Sequence, residues 1–343
     1  MKRVLVTGAS GEIGLQVIEM LLNKTDYLVR VFSLPDRFSK RRLNRFSKQI
    51  EFAWGDVTNK DQIQTAVKDC QAVIHLAAIL PPLADEKPEL ARRVNVEGTK
   101  NLLDVLEKEN DKGFFLYASS VAIYGDRLDN HWIRVDDPLS PSDLDRYAQT
   151  KIDAEEWIQK SKVAWTIFRL SAIMSENRKL DPLFFHMPLD TDIEVTSTRD
   201  TAYAMVQALD HQVELVHRIF NLGGGPCCRV TYRDFLRENF ERMGIDFSLV
   251  PEKAFAERNF HCGYYADSDD LESILHFQRD CIGDLYSRME QKVLPPKRFF
   301  SRMFQRIIVA ELVKRSVPWK ARSEMASSVA KHFFKSLAKK DSQ

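Results

Sequence analysis

Short apolar runs alternate with amphipathic stretches through the first half of the chain. The runs at 4–6, 27–33, 50–54, 72–78, 114–120 and 163–170 are rich in Val, Ile, Leu and Phe. That is the pattern of strands covered on both faces. Between them apolar residues recur three and four apart, as in Ile13, Val17, Ile18, Leu21 and Leu22. The same spacing marks a short helix at 59–67, a long one after Pro88 (Val94, Val96, Leu102, Leu103, Val105, Leu106), and another beginning at Asp145. Strands alternating with helices predict an α/β fold built on a doubly wound parallel sheet.

From about residue 171 the rhythm breaks. A loop-rich stretch at 174–188 is followed by a short strand at 193–195, a helix at 201–209 and a strand at 218–221. A loop at 223–226 follows, and then a helix that Thr231 caps and that runs to Met243. The chain divides into a sheet domain at 1–170, a smaller substrate-binding part at 171–280 from which 199–221 return to the main sheet, and an extension at 281–343. In the extension, Phe299, Phe300, Met303, Phe304, Ile307, Ile308 and Leu312 fall on one helical face, with Lys and Arg on the other. Pro318 separates this helix from a second at 324–340, carrying Met325, Val329, Phe333 and Leu337.

Charge sharpens this division. The net charge is +1, but residues 281–343 hold 14 Lys and Arg against 5 Asp and Glu, whereas residues 1–280 hold 36 against 44. The extension is a basic amphipathic block at +9 on a body at −8. Packing on the acidic body or on a second subunit of a homodimer is the favoured reading. Peripheral contact of 297–340 with the inner face of an anionic membrane is the alternative. No nucleic-acid module is present. The five cysteines (Cys70, Cys227, Cys228, Cys262, Cys281) form no pair of CxxC units, so we expect reduced thiols, no metal site and a cytoplasmic protein. Met1-Lys2-Arg3 runs straight into a strand rather than into a signal peptide, and no apolar run reaches the ~18 residues of a membrane span.

The candidate chemistry begins at the first turn. Gly8, Gly11 and Gly14 stand between a strand and a helix, where glycines let backbone amides approach a pyrophosphate at the positive end of the helix. The strand that follows ends at Ser33, where a dinucleotide fold selecting NAD carries an acid. Arg30, Arg37, Lys40, Arg41 and Arg42 lie nearby, and Asp36 is the one acid. NAD and NADP both remain open, with the balance toward NADP. The run 114–120 ends in Ser119-Ser120, beyond which ligands sit in open α/β sheets. Tyr147 and Lys151 are four apart on one helix face, and a cation there is expected to lower the phenol's pKa. Asn95 sits among apolar residues, which requires polar partners. His75 reads as a packed strand residue.

Taken together, Thr7-Gly8-x-x-Gly11-x-x-Gly14, Gly55-Asp56-Val57, His75-Leu76-Ala77-Ala78, Val94-Asn95-Val96-Glu97-Gly98-Thr99, Ser119-Ser120 through Tyr124-Gly125, and Tyr147-x-x-x-Lys151 resemble the extended short-chain dehydrogenase/reductase family. Within it they resemble the NAD-dependent epimerase/dehydratase group, across about residues 1–280. The resemblance implies a Rossmann domain. It places Gly8, Gly11, Glu12 and Ile13 at the pyrophosphate, Ser33 and Arg37 at the adenosine ribose, and Asp56 and Val57 at the adenine. Leu76, Ala77, Ala78 and Asn95 would lie along the dinucleotide. Tyr147 would be the acid/base, Lys151 would hold the nicotinamide ribose, Ser120 would orient the substrate oxygen, and Tyr124 would contact substrate. The implied activity is NAD(P)-dependent oxidoreduction or epimerisation of a small polar, sugar-like alcohol or ketone. A non-enzymatic dinucleotide sensor and a membrane-associated lipid or lipid-linked sugar reductase are the alternatives.

Four departures from the family matter. Glu12 replaces an aromatic, and its carboxylate must point away from the pyrophosphate. Ser33 replaces the usual acid. Val121 and Ala122 replace the Asp-Glu pair of 4,6-dehydratases, which argues against dehydration. Arg169-Leu170-Ser171-Ala172 lacks the Asn typical of sugar-nucleotide epimerases.

Overall fold

The structure, a computed structural model, describes residues 1–110, 112–176, 180–323 and 328–334. Strands β1 (Lys2–Thr7), β2 (Tyr27–Ser33), β3 (Glu51–Trp54) and β4 (Ala72–His75) alternate with helices α1 (Glu12–Leu22), α2 (Arg37–Leu43) and α3 (Lys60–Val67). Helix α4 (Gly98–Glu109), β5 (Phe114–Ser120), α5 (Arg146–Lys160) and β6 (Ala164–Leu170) continue the alternation. The second half contributes β7 (Ala172–Met174), β8 (Asp192–Ser197), α6 (Thr198–Gln207), β9 (Arg218–Leu222), β10 (Arg229–Thr231), α7 (Tyr232–Arg242) and α8 (Ser268–Leu275).

Seven strands pair in the order β9-β6-β5-β4-β1-β2-β3, every neighbour parallel. The direction of winding reverses between β1 and β4. Side-chain alternation along each strand feeds two cores. Val4, Val6, Ile74 and Leu116 meet Val17, Ile18 and Leu21 of α1 and Met205 of α6 on one face. Leu5, Val73, Phe115 and Tyr117 meet Ile63, Leu102 and Ile158 on the other. Strand β9 lies beside β6 with Leu222 opposite Leu170, so the second half does return a strand to this sheet.

The remainder of that half forms a small sheet, β10-β8-β7. It packs on an aromatic core of Phe184, Phe185, Tyr232, Phe235, Phe240 and Phe255. The extension comprises α9 (Ile282–Gln291), α10 (Pro295–Met303), α11 (Gln305–Arg315), α12 (Val317–Ser323) and α13 (Ser328–Phe333).

Several expectations change. The helix after Pro88 is not uniform: Pro88–Arg92 is α-helical, Arg93–Glu97 makes a π turn, and α4 follows. The first tail helix breaks at Phe304, and Pro318 sits inside the first turn of α12, where its missing N–H costs nothing. Of the second tail helix, only α13 lies within the described residues. The cysteines are not all thiols, since the sulfurs of Cys227 and Cys281 are bonded across 54 residues of sequence, a pairing that spacing cannot reveal.

Candidate active site

Strands β1 and β4 end level, with Thr7 opposite His75, and β5, with Tyr117 opposite His75, runs on to Ser120. The loops after them therefore open on one edge of the sheet, at the reversal of winding. Gly8 lies there with φ +62°, and a Cβ on it would stand 2.6 Å from the Leu76 carbonyl carbon. A Cβ on Gly14 would stand 2.5 Å from the Gly8 oxygen. Only glycine lets the first turn lie this close to the loop after β4 and to α1. No side chain caps α1, whose Ncap is Gly11.

A chain of hydrogen bonds fixes this edge. The amides of Leu76 and Ala77 both donate to the Thr7 hydroxyl at 3.2 Å. Thr7 thus has its own proton for His75 Nδ1 at 2.6 Å, which leaves Nε2–H to donate to Thr99 at 3.0 Å. Thr99 donates onward to the Asn95 carbonyl at 2.6 Å. His75 is fully buried, and burial lowers its pKa to about 3, in keeping with a neutral ring. Asn95, on the π turn, accepts from the Ile79 amide at 2.7 Å and donates to the Ile79 carbonyl and to Thr150. Its amide ties the loop after β4 to α5.

Helix α5 begins where Asp145 accepts from the Ala148 amide at 2.8 Å, which sets Tyr147 in its first turn and Lys151 one turn on. Ser120 lies near enough to the Tyr147 phenol to favour its ionised form. Lys151 Nζ donates to the Ala118 carbonyl at 2.7 Å and lies 5.7 Å from the centre of the Tyr147 ring. The structure thus brings Ser120, Tyr147 and Lys151 together. Their electrostatics differ from expectation. Burial pushes the phenol well above its ordinary range, with Ser120 opposing, and pushes Lys151 down to about 7, with Glu155 opposing. Desolvation leads in both cases because both groups are fully enclosed, and Lys151 is not among the causes that shift the phenol.

Beneath them runs a network invisible in the sequence. Glu155 pairs with Arg169 through two bonds, 3.1 and 2.8 Å, and accepts from Ser119 at 2.5 Å. Arg169 also donates to the Tyr124 hydroxyl at 2.7 Å, and Tyr124 donates to Asn221 at 2.8 Å. Tyr124 is therefore buried, and its hydroxyl is engaged within the protein.

A cavity of 460 Å³ opens beside Ser120. Val121, Ala172, Ile173, Met174, Met187 and Phe260 give it an apolar wall, and Glu12, Ser171, Ser175 and His261 are its polar points. His261, 3.0 Å from Asp145, links this wall to the start of α5. Neither Phe260 nor His261 carried a sequence signal, because each comes from an irregular segment. The Glu12 carboxylate turns to Arg42 at 2.5 Å and to Ser175 at 3.1 Å. At the end of β2, Ser33 is half-buried and Arg37 exposed, while Asp36 is consumed in capping α2, accepting from the Ser39 amide and hydroxyl at 2.9 Å. Arg30 is held by Glu51 at 2.7 Å. Asp56 accepts from the Thr58 amide, and Val57 is buried against Gly98. Among the described residues, no helix is long and apolar enough to cross a membrane, and no group of three His, Cys, Asp or Glu could hold a metal.

The chain is 24% identical over 265 residues to a Methanocaldococcus jannaschii protein named as an uncharacterized membrane protein, covering 73% of this chain and 74% of that one. It is 30% identical over 164 residues to the decarboxylating sterol-4-alpha-carboxylate 3-dehydrogenase of Saccharomyces cerevisiae, spanning about half the length of each (46%). Its fold superposes on a dTDP-glucose 4,6-dehydratase from Streptomyces venezuelae with NAD bound, with a TM-score of 0.72 at 20% identity over 84% of this chain and 96% of that one. It also superposes on a UDP-glucuronic acid 4-epimerase from Bacillus cereus, at 0.69 and 19% over 84% and 99%. The model of the NAD dependent epimerase/dehydratase family matches residues 4–187, more than half of the sequence, and the chain belongs to that family.

Proposed function

We propose that this protein exchanges hydride between NAD(P) and a secondary alcohol or ketone, with Tyr147 as acid/base. The observation that carries the reading is Ser120 at the wall of a cavity, with Tyr147 near enough for Ser120 to favour its ionised form, on the sheet edge that also carries the glycine turn. The first turn suits a dinucleotide: a Cβ on Gly8 or Gly14 would fill the close approach of backbone there, and Gly11 leaves the start of α1 without a side-chain cap. Gly11, Glu12 and Ile13 would hold the pyrophosphate through backbone, Ser33 and Arg37 the adenosine ribose, and Asp56 and Val57 the adenine. Leu76, Ala77 and Ala78 would flank the dinucleotide, and Asn95 would act by holding their loop. Asp36 is engaged in capping α2 through Ser39, and Ser33 stands where an acid would take a 2′-hydroxyl, which favours NADP. The dinucleotide, when bound, supplies or accepts hydride.

In the reductive direction the enclosed phenol of Tyr147 keeps its proton and is the acid that delivers it to the substrate oxygen. Ser120 would orient that oxygen, and Lys151, anchored on the Ala118 carbonyl, would hold the nicotinamide ribose. The sequence points to a small polar, sugar-like substrate. The apolar wall supports a second reading, a secondary alcohol on an apolar body, and the sterol dehydrogenase similarity agrees with it. Tyr147→Phe should lower turnover by about 10²–10⁴-fold while leaving dinucleotide affinity unchanged, as read by steady-state rates beside fluorescence titration. Undiminished turnover in that variant would remove Tyr147 from the chemistry.

A further inference from the structure

Helix α10 is mounted inside out. Phe299, Phe300 and Met303, with Phe304 at its end and Ile307 in the first turn of α11, follow helical spacing, and all are exposed, with Phe299 at 65% and Ile307 at 67%. No residue of α10 is buried. Its least exposed position is the polar Ser301, and the next polar residue along that side, Gln305, accepts from the Asp246 amide at 3.0 Å. The following helix is mounted the usual way: Val309, Leu312 and Val313 of α11 are buried in the aromatic core of the second half. So α10, whose Arg298 pairs with Glu290 of α9 at 2.8 Å, presents its apolar stripe outward, an arrangement that costs hydration unless something covers it.

Charge identifies the cover. Residues 292–306 contain five Lys or Arg and no acid. Lys297, Arg302 and Arg306 are exposed beside the apolar stripe. A second copy meeting this face about a two-fold axis would bring the same cations against themselves. An anionic bilayer satisfies both halves of the pattern, because acyl chains take the phenylalanines and headgroup phosphates take the cations. We infer that α10 docks this protein in the interface of an anionic lipid bilayer, lying in its plane rather than crossing it. The inference rests on the mounting of α10 and is independent of the catalytic reading.

Flotation of the full chain with vesicles tests it, using phosphatidylcholine alone and phosphatidylcholine mixed with phosphatidylglycerol. The protein should float with the mixed vesicles, weakly or not at all with the neutral ones, and less at high salt. The triple variant Phe299→Ser, Phe300→Ser, Phe304→Ser should lose on the order of 100-fold in partitioning while keeping its melting temperature. Arg302→Gln with Arg306→Gln should lose roughly fivefold per charge. No flotation of the parent chain with anionic vesicles overturns the inference, as does a charge variant that floats as well as the parent. A parent dimer that the triple variant splits in sedimentation velocity, without vesicle binding, would assign the face to a second copy instead.

Discussion

Helices α1 and α10 carry the same kind of apolar stripe and are mounted in opposite senses. On α1, Val17, Ile18 and Leu21 are fully buried against the sheet and α6, and Glu12 at its polar end pairs with Arg42. On α10, the phenylalanines face outward and Ser301 faces the body. An amphipathic period thus tells which residues share a face, not which face meets the protein. The sheet decides that for α1, because a parallel strand cannot leave its second face to water. No sheet stands behind α10, and its neighbour α11 takes up the available core.

The largest effect that tests this contrast belongs to α1. Ile18→Ala removes a side chain at 0% exposure and should cost about 2–5 kcal/mol in a denaturant titration. A cost under about 1 kcal/mol would mean that α1 is not seated as described. A middle-sized effect comes from the contrast between buried and exposed cations. Lys151 is enclosed, and burial holds its pKa at about 7, below the ordinary lysine value. The unfolded chain therefore binds the extra proton above pH 7, so this group makes stability rise with pH from about 7 toward 10. Below about 7 the full penalty of burying the cation is present. The slope it contributes is up to roughly 1.4 kcal/mol per pH unit, and Lys151→Met should remove it from melts taken across that window. The exposed Arg302 and Arg306 should contribute no such slope. The smallest effect belongs to α10: Phe300→Ser should shift the midpoint by no more than about 0.5 kcal/mol, because the ring is 55% exposed and seals no core. A loss comparable with that of Ile18→Ala would show that the ring is covered within the free protein.

What the residues alone determined is local or strictly periodic. The alternation of strands and helices, the need for glycine at positions 8 and 14, and the placing of Tyr147 and Lys151 on one helix turn all follow from backbone sterics and from periods of two and 3.6 residues. The burial of His75 was legible for the same reason, since it sits inside a strand covered on both faces.

Tertiary structure decided whatever depends on a partner distant in sequence. Tyr124 turned inward because Arg169 and Asn221, 45 and 97 residues away, claim its hydroxyl. The phenol and amine of Tyr147 and Lys151 shifted as they did because of their enclosure, which no spacing reports. Phe260 and His261 joined the cavity wall from an irregular segment, and Cys227 met Cys281 across a loop. The outward face of α10 belongs to the same class, because burial is a property of what stands opposite a side chain, and a one-dimensional pattern holds no record of that.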